Sequence, residues 1–451
     1  MYYFRADGNA KIGAGHLMRC LTIAGALAEK CGTTEEILFL CADEESAGLA
    51  ERQGFRTRVL YTDYQKMETE LAILVEILKE KVPGAECMKA EPFPAESKRE
   101  TAETFLEQKA GEGAEAALMK RHNILVVDSY YVTEKYLKAV SRLASVLLLD
   151  DMGERAWPVD GILNYNAFAE PEYYRSLYAA ASKEPLYGIG SSFVPLRSQF
   201  QNVPYKIRET VQNVLITTGG GDSDNIAGQI WENLYQEDVA YHVVIGRFNP
   251  YFSWWEEKEA ECSKKPECLV TNAFRKEKQV NAAMCGKEPE CPATNAFQKE
   301  KQVNAAMCGK EPECPDAGVI QDQKPGEAAA SRLYLHTDVQ DMAGLMAQCD
   351  LAVTAGGTTI YELAAVGVPF LCFSYAENQE ALTEYIGRKQ IAGYCGAWHK
   401  GKEAVLEALK TQMAVCRSKA VREHMSWEEK RMTDGDGAAR CVELIRSCAG
   451  R

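Results

Sequence analysis

Three glycine-bearing stretches carry side chains that could do chemistry at places where a backbone can approach a ligand closely. In the first, Arg5-Ala6-Asp7-Gly8 runs on to Ile12-Gly13-Ala14-Gly15-His16. Gly13 and Gly15 let amides come near a bound group, and the helix predicted after them would present anion-attracting N–H groups. His16 then stands at a helix start, at the mouth of a cleft, where a neutral imidazole is a good general base near neutral pH. The alternative is a tight strand-to-helix turn with no ligand. The second stretch, Thr217-Thr218-Gly219-Gly220-Gly221-Asp222-Ser223-Asp224-Asn225, also follows a β-run. Consecutive glycines at the carboxyl end of a strand favour a loop that opens a ligand crevice, whereas Asp222 and Asp224 equally suit simple helix capping.

The third stretch, Ala355-Gly356-Gly357-Thr358-Thr359-Ile360-Tyr361-Glu362, is the most specific. Amides and hydroxyls at a helix N-terminus can cradle a diphosphate without a metal or a lysine. Glu362, four residues after Thr358, falls one turn deeper on the same face. A carboxylate there would repel phosphate but can accept two hydrogen bonds from a ribose cis-diol. Nucleotide-sugar binding therefore accounts for both residue types, and plain helix capping is the alternative. Downstream, Tyr375-Ala376-Glu377-Asn378-Gln379 offers neutral amide groups, Asn378 among them, suited to sugar hydroxyl or acetamido groups.

The elements that must hold these residues alternate in the βαβ manner. Met1 to Phe4, Ile37 to Cys41, Ile124 to Asp128 and Val146 to Asp150 read as buried strands. His16 to Lys30, Lys66 to Lys81 and Thr133 to Leu143 have helical spacing. A second block repeats the rhythm with strands at Val211 to Thr217, Val239 to Ile245, Leu333 to His336, Leu351 to Thr354 and Phe370 to Phe373. The expected class is α/β, with two doubly wound Rossmann-like domains facing a cleft. The N-terminal domain, 1–204, carries the base, and the C-terminal domain, 205–451, binds the nucleotide. Two stretches interrupt this plan. The charged segment of about 83–121 reads as a surface insertion, and so does a region of about 256–328 in which Thr271 to Pro315 holds a near-perfect duplication. Its paired cysteines are spaced C-x5-C without a nearby histidine, unlike the C-x2–4-C spacing usual for zinc.

A formal net charge of −14, without a sustained basic run, disfavours nucleic acid and anionic membrane as partners. The N-terminal residues lack signal-peptide order and no apolar run reaches the length of a membrane span, so a cytoplasmic location is expected. Cys20, Cys41, Cys349 and Cys372 fall inside apolar runs and read as core thiols. The six histidines are scattered, so neither a metal site nor a cofactor is expected. A small-molecule nucleotide-sugar is the expected partner of a monomer or weak oligomer.

The motifs Arg5-x-Asp7, Ile12-Gly13-x-Gly15-His16-x-x-Arg19-Cys20, Val127-Asp128-Ser129-Tyr130-Tyr131, Asp150-Asp151, Asn164-Tyr165-Asn166-Ala167, Thr218-Gly219-Gly220-Gly221-Asp222 and Gly356-Gly357-Thr358-x-x-x-Glu362 together resemble one family. It is the UDP-sugar hydrolases of the pseudaminic-acid pathway, relatives of the GT-B glycosyltransferases. The resemblance covers nearly the whole chain apart from the two insertions, which the typical shorter members lack. It implies inverting hydrolysis of the C1–O bond of UDP-2,4-diacetamido-2,4,6-trideoxy-β-L-altropyranose, with His16 activating water. It also implies UDP held by Gly219, Gly220, Gly221, Gly356, Gly357, Thr358 and Glu362, with Arg197, Asn378, Asp7, Gly13 and Gly15 as further contacts. A GT-B glycosyltransferase using a UDP-sugar donor, or a non-catalytic nucleotide-sugar binding protein, would share much of this pattern.

Overall fold

The computed structural model describes residues 1–9, 11–79, 120, 123–219, 222–246, 249–263 and 332–449. Both expected insertions lie almost wholly outside the described residues, as do the cysteine repeats, Gly220 and Gly221.

The first half runs β1 (Tyr2–Ala6), α1 (Gly15–Cys31), β2 (Ile37–Cys41), α2 (Glu44–Arg52), β3 (Arg56–Val59), α3 (Leu71–Lys79), β4 (Ile124–Asp128), α4 (Glu134–Val140), β5 (Ser145–Leu149), β6 (Gly161–Asn164), α5 (Pro171–Leu177) and β7 (Leu186–Ile189). The second runs β8 (Asn213–Thr217), α6 (Ile226–Leu234), β9 (Ala240–Val244), α7 (Phe252–Ser263), β10 (Arg332–His336), α8 (Met342–Gln348), β11 (Leu351–Ala355), α9 (Thr358–Val366), β12 (Phe370–Ser374), α10 (Glu380–Arg388), β13 (Gly393–Ala397), α11 (Lys402–Cys416), α12 (Lys419–Met432) and α13 (Gly437–Ser447). These elements form two α/β domains, each built on a parallel sheet, with strand orders β3-β2-β1-β4-β5-β6-β7 and β10-β9-β8-β11-β12-β13.

Periodicity explains the local choices. Strands β2, β4, β5, β11 and β12 are buried at every position, as parallel strands covered by helices on both faces must be. Helix α1 buries Leu17, Cys20, Leu21, Ala24 and Leu27 on one face and ends at Gly32, whose φ of 72° suits a left-handed C-cap. Four strands escape the sequence pattern. β3 (Arg-Thr-Arg-Val) is a half-buried edge, β13 carries two glycines, and β6 and β7 are four residues each. The single helix expected over Lys66 to Lys81 divides into a 3₁₀ turn at Met67–Glu70 and then α3, because Glu70 turns fully inward to meet Arg5.

Topology fixes where ligands can sit. In each sheet the chain builds outward from its first strand and then crosses to that strand's other side, so β1 lies between β2 and β4, and β8 between β9 and β11. Loops leaving the carboxyl ends of the strands flanking this reversal diverge and leave a crevice. The last helix, α13, returns to the first sheet, where Cys441, Val442, Leu444 and Ile445 join the core around Phe4, Phe39 and Leu147. Bare backbone makes that crossing possible. A Cβ on Gly437 would lie 2.0 Å from the carbonyl oxygen of Val194, and one on Gly161 would lie 2.7 Å from Cys448 Sγ.

Candidate active site

The loop after β1 and the end of β4 bring together a compact polar cluster. His16 is the second residue of α1 and Asp128 the last of β4, and His16 Nδ1 lies 2.6 Å from Asp128 Oδ1. Asp128 is almost fully buried, and both its oxygens also accept from Arg19, one turn along α1, through Nε and Nη2 at 2.5 Å each. Burial alone would raise the Asp128 carboxyl. The Arg19 guanidinium, with the hydrogen bonds from Arg19 and His16, outweighs burial and holds it at about 2. A carboxylate ionised at neutral pH and facing Nδ1 favours the imidazole proton there, which puts the lone pair on Nε2. Arg19 Nη1 donates to Asp151 Oδ1 at 3.0 Å and to the Tyr165 hydroxyl at 2.9 Å. Tyr130 stands edge-on to His16 with ring centroids 4.5 Å apart, its hydroxyl donating to Asp151 at 3.1 Å.

Beneath this cluster is a second buried network. Arg5 makes a two-pronged pair with Glu70 and a single contact with Asp7 at 2.5 Å, and Tyr136 donates to Glu70. The other oxygen of Asp7 accepts from the amide of Ala42 at 2.7 Å. Asp7, a candidate substrate contact by sequence, is thus buried, and its visible work is to tie the end of β1 to the segment after β2.

In the second sheet the corresponding crevice is lined by backbone. Helix α9 starts at Thr358, and its N-cap, Gly357, supplies no side chain to cover the first amides. A Cβ added at Gly357 would meet nothing within 4 Å, and the same holds at Gly219, whose φ of 90° suits glycine. This leaves the helix N-terminus open to an anion. Gly356 beneath it is tightly covered, since a Cβ there would lie 2.9 Å from that of Gln379. That approach seats the Glu377–Gln379 turn, and with it exposed Asn378, beside the start of α9. Asp222 does what the plain alternative anticipated: its carboxylate caps α6, accepting from the amides of Ile226 and Ala227 at 2.7 and 2.9 Å. Glu362 lies one turn into α9 with Arg197 Nη2 at 3.5 Å from Oε1. Burial raises the Glu362 carboxyl, and Arg197 opposes that rise. The wide gap and the half-exposed Arg197 leave the carboxylate able to accept from a ligand.

The two crevices meet through tyrosines. Tyr361 of α9 reaches the first domain, where its hydroxyl accepts from the amide of Ala167 at 3.0 Å and its ring packs edge-on against Tyr165 at 6.3 Å. His16, Gly13 and Gly15 therefore belong to one wall, and Gly219, Gly357, Thr358, Glu362, Arg197 and Asn378 to the other. The residues whose partnership sequence reasoning left unassigned are Asp128, Arg19, Asp151 and Tyr165. The acidic residue closing the Ile124 to Asp128 run, the Asp150-Asp151 pair after the next one, and an arginine three positions after His16 were the available signals.

His242 and His336 face each other across β9 and β10 with Nδ1 and Nε2 3.1 Å apart, and burial lowers both to about 4. They are a neutral structural pair. Among the described residues no group of three or more His, Cys, Asp and Glu side chains is placed to hold a metal, and no helix is long and apolar enough to cross a membrane.

No protein-family model matches the chain. Over 107 residues, 24% of its length, it is 33% identical to the spore coat polysaccharide biosynthesis protein SpsG of Bacillus subtilis, covering 31% of that protein. It is 22% identical to the uncharacterized protein MJ1062 of Methanocaldococcus jannaschii over 258 residues, 56% of this chain and 43% of that protein. The chain thus spans less than half the length of these curated relatives. Among solved structures it is similar to MurG of Acinetobacter baumannii, with a TM-score of 0.54 at 11% identity over 99% of both chains. At that identity the likeness concerns the fold, and the fold is a GT-B-like pair of parallel-sheet α/β domains.

Proposed function

We propose that the protein is a UDP-sugar hydrolase that breaks the bond between the anomeric carbon and the diphosphate. The observation that carries this reading is the 2.6 Å contact of His16 Nδ1 with Asp128, at the reversal point of one sheet, opposite an uncapped glycine-led helix start at the reversal point of the other. His16 Nε2 takes a proton from water as the water oxygen bonds to C1. The C1–O bond breaks on the opposite face and UDP leaves with the electron pair. Its negative charge is met by the N-terminal amides of α9, with Arg197 near enough to contribute. Glu362 accepts from the ribose hydroxyls, and Asn378 faces the sugar. The motif resemblance points to UDP-2,4-diacetamido-2,4,6-trideoxy-β-L-altropyranose as the substrate, within pseudaminic acid formation. The proposed division of labour puts the base on residues 1–204 and the nucleotide on 205–451, with Arg197 reaching Glu362 from the segment between β7 and β8.

One observation favours a second reading, transfer to a hydroxyl acceptor by a glycosyltransferase. Tyr130, Tyr131 and Met152 on loops and Tyr173 on α5 are all exposed, Tyr130 edge-on to His16, and would suit the apolar face of an acceptor. Incubating candidate UDP-diacetamido sugars in ¹⁸O-water without an acceptor separates the two. Hydrolysis at carbon releases UDP and puts the label in the free sugar. Label in UDP would mean attack at phosphorus, and absence of UDP release until an acceptor is added would mean transfer.

The Glu362→Ala variant should bind UDP about 10 to 100-fold more weakly in calorimetry, the equivalent of one or two charge-assisted hydrogen bonds. The loss should shrink for UDP lacking both ribose hydroxyls. Equal losses for the two ligands would assign Glu362 to the stability of α9.

A further inference from the structure

One unbroken series of contacts runs from the nucleotide-side helix to the proposed base. Glu362 and Tyr361 are consecutive on α9 and so point about 100° apart. The former faces the cleft, and the latter is buried, its hydroxyl accepting from Ala167. Its ring lies against Tyr165, a residue just past β6 in the first sheet. Tyr165 in turn accepts from Arg19 Nη1, and the Arg19 guanidinium carbon sits 5.4 Å from the Tyr165 ring centroid. Arg19 then holds both oxygens of Asp128, the group that orients His16.

The geometry at Asp128 makes the position of Arg19 consequential. Three nitrogen donors, Arg19 Nε, Arg19 Nη2 and His16 Nδ1, converge with the Cys20 thiol on two carboxylate oxygens, and Oδ1 serves two of the nitrogens. Arg19 Nη2 is itself only 3.2 Å from His16 Nδ1. A guanidinium is a rigid planar fork, so rotating it about its Nη1 contact moves the other two donors together. The Tyr165 hydroxyl, with Asp151 on the same Nη1, therefore bears on the guanidinium that shares Oδ1 with His16. Tyr361, packed on Tyr165 and hydrogen-bonded two residues further on, carries this series from α9 to the first domain.

We infer that Tyr361 and Tyr165 form an interdomain latch through which nucleotide at the start of α9 sets the position of Arg19 and so the aim of His16. The latch rests on the nucleotide reading of α9 given above, but not on the reaction being hydrolysis. Tyr361, Tyr165 and Arg19 are positioning residues in this scheme. A bound diphosphate fixes the first turn of α9, and the buried tyrosine on the second turn carries that constraint across the cleft. The base is then held in its working geometry when the nucleotide is present, which restrains idle water activation in the empty enzyme.

The test uses the whole protein labelled with ¹⁵N at histidine, with the His16 ring signals assigned by their loss in His16→Asn, and with UDP itself as the probe. Saturating UDP should shift the His16 ring nitrogens in the wild type. In Tyr361→Phe, calorimetry should show unchanged UDP affinity while about half or more of that shift is lost. Tyr165→Phe, which removes one acceptor of Arg19 Nη1 and keeps the ring against Tyr361, should lose it as well. A merely structural role would alter melting temperature but not the ligand-dependent shift. Full-sized shifts in both variants, or no shift in a wild type that binds UDP, would overturn the latch. Failure of wild-type protein to bind UDP at all would overturn the nucleotide reading and the latch with it, a result distinguished by calorimetry alone.

Discussion

The variant His16→Asn is expected to lose turnover by about 10² to 10⁴, the usual contribution of a positioned general base, while its affinity for UDP changes little. The asymmetry follows from placement. His16 begins α1 on the first domain, whereas the open amides at Gly357 and Thr358 and the carboxylate of Glu362 belong to α9 of the second. Asparagine is small enough for the site and can still donate a hydrogen bond to Asp128, so the fold should survive. It lacks a nitrogen lone pair that can take a proton. Steady-state rates at saturating substrate, paired with UDP calorimetry, check both halves of the expectation. Retention of more than about a tenth of the activity would leave His16 as a turn residue rather than a base.

Asp128→Asn should have the largest effect on stability, on the order of 3 kcal/mol, because it removes one member of a buried ion pair. Asp128 is 1% exposed and Arg19 12%, so the largely buried guanidinium would keep only Asp151 as a charged partner. Turnover should fall too, since a neutral amide no longer fixes the imidazole proton on Nδ1. The pH dependence has a definite sign. The Asp128 carboxyl is depressed from its ordinary 3.8 to about 2 in the folded protein. Its contribution, on the order of 2 kcal/mol, is therefore complete above the unfolded value and disappears as pH falls through the folded one. Urea unfolding of wild type and variant should show a stability gap that is constant near neutrality and narrows as the pH drops from about 4 towards 2. A gap independent of pH over that window would mean the carboxylate is not the source of the difference.

Much of the site was legible in the chain because its parts are local. Gly13 and Gly15 before His16, and Gly356 and Gly357 before Thr358, mark strand-to-helix turns by residue type alone. The helices that follow declare themselves by the spacing of Leu17, Leu21 and Ala24, and of Ile360, Leu363 and Ala364. The buried parallel strands β2, β4 and β11 are short, mostly apolar runs, and their ends could be read within a residue. The edge strands β3 and β13 could not, since half-burial and glycine erase the pattern.

What the sequence by itself determined is which segments become strands, which turns stay bare of side chains, and hence which backbone amides are open to an anion. These depend on torsional preference and on burial repeating every two or every 3.6 residues, both of which act over a few neighbours. Only the tertiary structure decided that Asp128, 112 residues from His16, would be its partner, and that Arg19 would reach Tyr165 across 146 positions. The order of strands in each sheet sets those meetings, placing β4 rather than β2 on the His16 side of the reversal. The link from Tyr361 to Ala167 spans 194 residues and exists because the two sheets pack with α9 at their boundary. Such contacts arise from the fit of whole faces, whose net stability is summed over many side chains, and no short stretch of residues carries that sum.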